Sequence, residues 1–347
     1  MPLIRLVAGG DDRPLGWLLG YPIDIRARRL AIDGEELAVP DVGSDEAIET
    51  FIYAFGGRFL VILLAPGRSR IYLAASGAHS AVYCPRARIV ASTPGLVPRN
   101  RATGDRVNLA RAIGIPFSNA MYPLGLTPRF GIDRLLPNHY LDLVSWRAIR
   151  HWPSAPLFPS ADVDGAVADI AETVKSSIAA VIAAGPVRLA LTAGRDSRML
   201  LACAKDVRDS LEAFTLEIGK EGARVDCEIA SRIADRFRLK HCVLPAREPG
   251  QRDLDAWMAR IGYSTGEYRG WRSATTTKQL GHPERLVLKG VGGGLERAIY
   301  WQIDDTETTA IPPERLLHHC LCPPCEEPLA RAREWLRSVP AVDSLQI

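Results

Sequence analysis

Six consecutive residues near the middle of the chain have the types and spacing of an anion-binding loop. They follow a short apolar run, residues 187–191, and precede a stretch typical of a helix that begins at about Ser197. A strand, a glycine-containing turn and a helix N-terminus present backbone N–H groups and the positive end of the helix dipole, which suit phosphate. The alternative is an ordinary turn in which Asp196 or Ser197 only caps the helix. The six residues are Thr192, Ala193, Gly194, Arg195, Asp196 and Ser197.

A second glycine-rich segment follows another apolar run, residues 285–288, in the same strand-then-glycine order. Its glycines let the backbone approach a phosphate closely. Lys289 is placed to neutralise charge on a bound phosphate, as is Arg198 after the first loop. The alternative for both is a surface cation. The segment consists of Lys289, Gly290, Val291, Gly292 and Gly293.

The segments around the two loops alternate between strand and helix patterns. Apolar residues three and four apart predict a helix over 163–181 with one apolar face, and strands are predicted at 211–218 and 241–244. This alternation favours a doubly wound parallel sheet, in which ligands lie beyond the carboxyl ends of the strands. Both loops, and the strand end at Thr215 and Leu216, are therefore expected at one edge of that sheet.

The first loop resembles the pyrophosphate loop of the ATP pyrophosphatase superfamily, usually Ser-Gly-Gly-x-Asp-Ser, with Thr192 and Ala193 at its first two positions. This loop, the strand end at 215–216, a helix with Asp226 and Ala230, and the second glycine loop follow one another in order. That order is similar to the synthetase domain of the asparagine synthetase family, which includes β-lactam synthetase and lasso-peptide cyclases. In addition, the stretch Leu-Leu-Pro-Asn-His-Tyr that begins at residue 135 is similar to the segment that closes that family's amidotransferase-like domain.

The resemblance implies two domains, which a proline-rich segment, 152–159, separates. Residues 1–150 are expected to form an α+β, amidotransferase-like domain, β-rich and of the Ntn type. Residues 160–347 are expected to form an α/β doubly wound parallel sheet of the adenine nucleotide α-hydrolase type, truncated at its C-terminus. Only about fifty residues follow Trp301, whereas family synthetase domains continue further and carry a catalytic lysine there. A second protein chain that completes the synthetase domain is therefore one expected partner.

The resemblance also implies an activity, that of an ATP-dependent, AMP-forming amide ligase. Such an enzyme activates a small-molecule or peptide carboxylate as an acyl adenylate, with ATP and Mg²⁺ as cofactors. The first loop would hold the pyrophosphate, and Asp196 and Lys289 would be catalytic. The backbone at Thr215 and Leu216 would contact adenine, and the second glycine loop would close over the phosphates.

Two departures from the family pattern change this expectation. The family's glutaminase uses an N-terminal cysteine, whereas this chain starts Met-Pro-Leu-Ile and its first cysteine, Cys84, lies in a predicted strand. Glutamine hydrolysis is therefore not expected, and the nitrogen would come from an amine of the substrate or from ammonia. The family also has two acidic residues where Gly294 and Leu295 stand here. Glu296 follows one step later, so Asp196 and Glu296 are the candidate ligands for Mg²⁺.

Composition limits the remaining classes of function. The 347 residues carry a net charge of +3, with 47% hydrophobic and 24% charged residues, which is ordinary for a globular protein and does not favour a nucleic-acid partner. No apolar stretch reaches transmembrane length, so a cytoplasmic protein with no membrane partner is expected. The arginine-rich stretch 99–106 is expected to be a solvated loop.

Two alternative functions stay open at this point. The missing loop carboxylates fit a non-catalytic member of the family that only binds or scaffolds. Cys322 and Cys325, with Cys320 and two histidines nearby, have the spacing of a zinc knuckle, which fits a pyrophosphate-loop enzyme that modifies tRNA. A closed zinc site usually needs a second pair of ligands, and the sequence shows none. A loop of reduced thiols is therefore favoured.

Overall fold

Strands in the first half of the chain form one mixed sheet in the order β11-β10-β6-β5-β2-β1-β4, with β3 beside β2, and a small second sheet in the order β8-β7-β9. The structure, a computed structural model, describes residues 1–9, 13–101, 104–118, 120–218, 221–265, 268–281, 285–293, 304–306 and 310–341. The elements are β1 (Leu3–Ala8), β2 (Pro14–Asp24), β3 (Arg29–Leu30), β4 (Glu36–Val39), α1 (Asp45–Tyr53), β5 (Phe55–Ala65), β6 (Arg68–Leu73), β7 (Val82–Cys84), β8 (Ile89–Ala91), α2 (Val107–Ala112), β9 (Asp133–Arg134), β10 (His139–Asp142) and β11 (Arg147–Arg150).

The core of this half lies between the large sheet and α1. Residues of β2 and β5 alternate between the two faces of the sheet, so that Leu18 and Val61 are buried while Trp17 is 41% exposed. Ile48 and Ile52 of α1 cover the same buried face. Burial of these apolar side chains is the main stabilising contribution here.

The second half contains the parallel sheet that the alternating pattern predicts. The strand order is β14-β13-β12-β15, and every pair is parallel. The chain runs outward from β12 to β14 and then returns to the opposite side of β12, so the strand order reverses between β12 and β15. The elements are α3 (Val163–Ala183), β12 (Val187–Ala190), α4 (Arg195–Cys203), β13 (Leu211–Glu217), α5 (Glu221–Phe237), β14 (Lys240–Pro245), α6 (Gln251–Ile261), α7 (Tyr268–Thr277) and β15 (Leu286–Lys289).

The structure changes two predictions about helices. Helix α4 begins at Arg195 rather than at about Ser197, because Gly194 takes the extended N-cap position. The predicted apolar face of α3 is only half used: Val163, Val167 and Ile170 are 65%, 59% and 62% exposed. Only the second half of that face packs inward, against residues of β2, β3 and the parallel sheet.

Two further helices, α8 (Pro313–His319) and α9 (Glu326–Ser338), return the chain to its first half. They pack against α2 and residues 120–126. Arg106 is 5% exposed and forms a bidentate pair with Glu327, with N–O distances of 2.8 to 3.1 Å. The expectation that stretch 99–106 is solvated is therefore wrong for Arg106. Among the helices of the described ranges, none has the length and apolar composition needed to cross a membrane.

Candidate functional site

The first glycine loop is held in shape by its own hydroxyl groups. The Thr192 N–H donates to Ser197 Oγ at 3.1 Å, and the Gly194 N–H donates to Thr192 Oγ1 at 3.1 Å. Ser197 is 4% exposed, and its hydroxyl lies inside the loop. The two side chains therefore define the loop conformation and accept from two of its backbone N–H groups.

The start of α4 provides N–H groups at this loop. Its N-cap residue is Gly194, which has no side chain to accept from the first-turn N–H groups of Arg195, Asp196 and Ser197. Asp196 and Ser197 lie within the helix and their side chains bond to other partners, so neither caps it. These N–H groups, with the helix dipole, favour an anion at this position.

The second glycine loop lies directly against the first. The Gly293 N–H donates to Asp196 Oδ2 at 3.1 Å, and this bond joins the segment after β15 to the first turn of α4. A Cβ atom on Gly290 would lie 2.4 Å from the Ser197 nitrogen, and one on Gly293 would lie 2.3 Å from Asp196 Oδ1. At Gly290 the nearest atoms belong to the backbone, so only glycine permits this approach there.

Asp226 of α5 also belongs to the site, although the sequence marks it only as part of a motif. Its Oδ1 accepts from the Ala193 N–H at 2.8 Å. Burial, with the carboxylates of Glu217 and Asp226, raises the pKa of the neighbouring Cys227 thiol. The backbone of the first loop thus has a carboxylate on it.

Thr215 is fixed in place at the end of β13. Its hydroxyl donates to the Leu191 carbonyl at 2.8 Å, so the proton of the 2.9 Å bond to His241 Nε2 must come from the imidazole. Burial lowers the pKa of His241, which agrees with a neutral ring. Because β12 ends at Ala190, the backbone at Thr215 and Leu216 extends past it beside the first loop.

The cations predicted for the site lie at its rim. Lys289 is exposed at the end of β15, opposite Ala190, and makes no ion pair with any residue in the described ranges. Arg195 and Arg198 are also exposed. Val291 is 81% exposed, and Gly292 has a φ of 101°. Solvent or a ligand therefore has access to this side of the second loop.

The predicted magnesium ligands are only partly within the described residues. Asp196 faces the second loop, while Glu296, together with Gly294 and Leu295, lies outside the described ranges. Within those ranges, no cluster of three or more His, Cys, Asp or Glu side chains is arranged to hold a metal ion.

The cysteines near the C-terminus lie in the turn between α8 and α9. Cys322 is 4% exposed, and burial, with the neighbouring thiols of Cys325 and Cys320, raises the pKa of Cys322 to about 12. Burial also raises the pKa of Cys320. Without a metal, both thiols are therefore protonated at neutral pH.

Comparison with known proteins adds no relative to this description. No protein-family model matches the chain, and the curated proteins include no match. The functional argument therefore depends on the geometry of the two glycine loops and of the residues that contact them.

Proposed function

We propose that this chain is an ATP-dependent, AMP-forming amide ligase that activates a small-molecule or peptide carboxylate. The observation that carries the proposal is the bond between the two glycine loops, from the Gly293 N–H to Asp196 Oδ2, where the strand order reverses. Parallel sheets bind ligands at such a reversal, and glycine loops at helix N-termini bind phosphate.

The groups around the loops suit the phosphates of ATP in both charge and shape. The first-turn N–H groups of α4 and its dipole favour an anion, and Lys289 adds a full positive charge at the rim. We assign the pyrophosphate to residues 192–197, adenine to the backbone at 215–216, and closure over the phosphates to residues 290–293.

Asp196 supplies a carboxylate of the kind that Mg²⁺ requires. It lies between the two loops, where phosphate oxygens would complete the coordination, and Glu296 is the second candidate ligand. Bound there, Mg²⁺ would neutralise charge on the pyrophosphate.

The chemistry has two steps. A carboxylate oxygen of the substrate bonds to the α-phosphorus of ATP, the bond from that phosphorus to the β-bridging oxygen breaks, and pyrophosphate leaves with the electron pair. An amine nitrogen then bonds to the acyl carbon, AMP leaves with its oxygen, and the amine loses a proton. The N–H groups of α4 and Lys289 would stabilise charge on the leaving pyrophosphate.

The first half, in this proposal, is an amidotransferase-like Ntn-type domain without a nucleophile, and the second is a sheet of the adenine nucleotide α-hydrolase type. Cys84 is 1% exposed and its thiol donates to the Arg101 carbonyl at 3.6 Å, so its position does not suit a nucleophile. The seven cysteines are all free, which supports a reducing, cytoplasmic location.

Calorimetric titration with ATP and Mg²⁺ tests the nucleotide site. Asp196→Asn retains an acceptor for the Gly293 N–H but removes the carboxylate charge, so we expect affinity for ATP with Mg²⁺ to fall by roughly tenfold or more. Asp209→Asn, at a side chain that is 96% exposed, is the matched control and should bind like the wild type. If the folded wild type shows no binding, or Asp196→Asn binds equally well, the proposal is wrong.

A second candidate function, a protein that keeps the fold but only binds or scaffolds, is favoured by one observation. Carboxylates of the chain already occupy the N–H groups of Ala193 and Gly293, so part of the loop backbone is satisfied without a ligand. Release of AMP and pyrophosphate in the presence of mixed carboxylates and amines separates the two functions. ATP binding without this release, across such a panel, would favour the binding protein.

A further inference from the structure

We propose that a second site, distinct from the glycine loops, binds a carboxylic acid with an apolar body. The site is a cavity of about 670 Å³ between the two halves of the chain, and none of its lining residues belongs to either glycine loop. A cavity of this size accommodates a small molecule. The inference does not depend on nucleotide binding.

The cavity has walls from both halves. Residues between 93 and 129 form most of it, and the end of α6, with Gly262 and Tyr263, closes one side. Gly262 is left-handed, with a φ of 59°, and a Cβ there would lie 2.6 Å from Pro94 Cδ, so this end of α6 lies tightly on the first half. The Tyr122 N–H also donates to the Ser264 carbonyl at 3.3 Å. The wall from the second half is therefore attached by packing and by hydrogen bonding.

Large apolar side chains around the cavity are unusually exposed. Leu96, Val107 and Tyr263 are 67%, 58% and 55% exposed, and all three line it. Ala110 and Ile115 add further apolar surface. Apolar surface concentrated at a concave site is typical of ligand binding, because a ligand removes that surface from water.

Arg129 gives the cavity a positive charge that the protein itself does not neutralise. Arg129 is 8% exposed. Its guanidinium donates to the carbonyls of Pro94, Val97 and Pro98 at 2.8, 2.5 and 3.4 Å. No carboxylate in the described ranges pairs with it. The Nε hydrogen takes no part in these bonds and remains for a ligand.

The second buried guanidinium of the cavity, that of Arg106, has its charge balanced by the bidentate contact with Glu327. At the rim, Asp105 lies 3.6 Å from Arg99. The charges that line or contact the cavity therefore pair off, with the exception of Arg129.

An anionic group is the ligand chemistry that this imbalance favours. A buried charge without a counter-charge is costly, and a carboxylate beside a guanidinium forms a strong charge-assisted hydrogen bond. Burial raises the pKa of Tyr122, which also lines the cavity, to about 12, so its hydroxyl stays a neutral donor. The apolar side chains account for the rest of the ligand.

Three ligands with one apolar body test the charge preference. Calorimetry, without ATP or Mg²⁺, would compare 4-phenylbutyrate, 4-phenylbutanol and 4-phenylbutylamine. We expect the carboxylate to bind roughly tenfold or more tighter than the alcohol and the ammonium to bind most weakly. Equal affinities, a preference for the amine, or no binding of any of the three at millimolar concentration would overturn the proposal. ATP binding is scored separately, so failure here leaves the proposed ligase function standing.

Two variants locate the binding. Gly95 lines the cavity, and a Cβ there meets only Thr93 Oγ1, at 3.8 Å, so Gly95→Phe fills the cavity without backbone strain. We expect it to abolish binding of 4-phenylbutyrate, whereas Gly222→Phe, on α5 and also in open space, should not. Unchanged binding in Gly95→Phe would place the ligand elsewhere and overturn the proposal.

Arg129→Gln tests the assigned charge. Its amide retains a donor for the carbonyls, and we expect the ratio of carboxylate to alcohol affinity to fall towards one. An unchanged ratio in the folded variant would show that Arg129 does not select the carboxylate. If the variant does not fold, the wild-type ligand series and Gly95→Phe still decide the proposal.

Discussion

The glycine loops and the cavity are two candidate anion sites built on opposite principles. At the loops, backbone N–H groups are available to an anion, but carboxylates of the chain, Asp196 and Asp226, already occupy two of them. At the cavity, the donor is the full charge of Arg129, and only neutral carbonyls contact it. Carboxylates therefore already accept from the donors at the loops, whereas no carboxylate in the described ranges pairs with Arg129.

This difference shows how each site would respond to a ligand. A phosphate at the loops must compete with an internal carboxylate of the same sign, so binding there should depend on Mg²⁺ or another cation. A carboxylate at the cavity compensates a charge that is otherwise unpaired, so binding there needs no metal. Four perturbations test this contrast.

Acidification should have the greatest effect, because it destabilises the folded state on which both sites depend. Burial, with the nearby His139 and Arg150, lowers the pKa of His151 from 6.5 to about 4. The unfolded chain therefore takes up a proton that the folded one does not, and stability present above pH 6.5 is lost as the pH falls to about 4. A shift of this size corresponds to about 3 kcal/mol.

Urea unfolding at pH 7 and at pH 4.5 measures this effect. His151→Phe should remove much of the acid sensitivity, since no imidazole is left to bind the proton, whereas His318→Phe, at an exposed position, should not. Equal acid sensitivity in the wild type and in His151→Phe would exclude His151 as the cause.

Gly290→Val tests whether the contact between the loops is required for nucleotide binding. The added carbon would lie 2.4 Å from the Ser197 nitrogen, and backbone there must shift. We expect affinity for ATP with Mg²⁺ to fall roughly a hundredfold, or about 2.7 kcal/mol, with 4-phenylbutyrate binding unchanged.

Gly222→Val is the control for this substitution, because a Cβ there meets nothing within 4 Å. Calorimetry with both ligands measures the two sites in one sample. If Gly290→Val binds neither ATP nor 4-phenylbutyrate, the substitution disturbs the whole fold and the two sites are not separate.

Glu327→Gln would add a second unpaired positive charge at the cavity, beside that of Arg129. It leaves the buried Arg106 guanidinium without its counter-charge. We expect unfolding to become easier by about 2 kcal/mol, less than for a fully buried pair because the Glu327 side chain is 40% exposed. Added 4-phenylbutyrate should raise the free energy of unfolding of this variant by more than that of the wild type.

Denaturant unfolding with and without the ligand measures both effects. The matched control is Glu36→Gln, because the Arg5–Glu36 pair is 48% exposed on each side and should change stability by roughly 0.5 kcal/mol or less. A loss no greater than in this control would show that the Arg106–Glu327 pair does not contribute to stability.

Asp226→Asn tests competition at the loops. The amide oxygen still accepts from the Ala193 N–H, but the negative charge is removed. We expect pyrophosphate, titrated without Mg²⁺, to bind roughly tenfold tighter, or about 1.4 kcal/mol. Asp209→Asn is the exposed control. Weaker or unchanged pyrophosphate binding would show that Asp226 supports the anion site rather than competes with it.

Much of the parallel sheet is predictable from sequence because its signals are local. Apolar runs bounded by glycine or charged residues predicted strands at 187–191, 211–218 and 241–244, and β12, β13 and β14 lie at these positions. The start of α4 lies two residues before the predicted one, because Gly194 rather than Asp196 or Ser197 is the N-cap. Each loop is also predicted as a candidate site from a local pattern, in which a strand is followed directly by glycine.

The contacts that complete the two sites are not local, and this is why the sequence did not reveal them. Asp226 lies 33 residues from Ala193, and Arg129 lies 35 residues from Pro94. Arg106 was expected in solvent because its neighbours are polar. Its guanidinium is instead buried against the carbonyls of Thr127 and Arg129 and against Glu327 of α9. Exposure of the first turns of α3 likewise depends on what lies opposite, which periodicity does not specify.

The pairing of Arg106 with Glu327 also has a consequence for biosynthesis. The two residues are 221 positions apart, so Arg106 leaves the ribosome long before its partner does. At about 5 to 20 residues per second, the delay is roughly 10 to 45 s. During that time the nascent first half has an uncompensated guanidinium and an uncovered apolar surface on α2. Chaperone contact with the nascent chain should therefore be concentrated on this surface and end when α9 emerges.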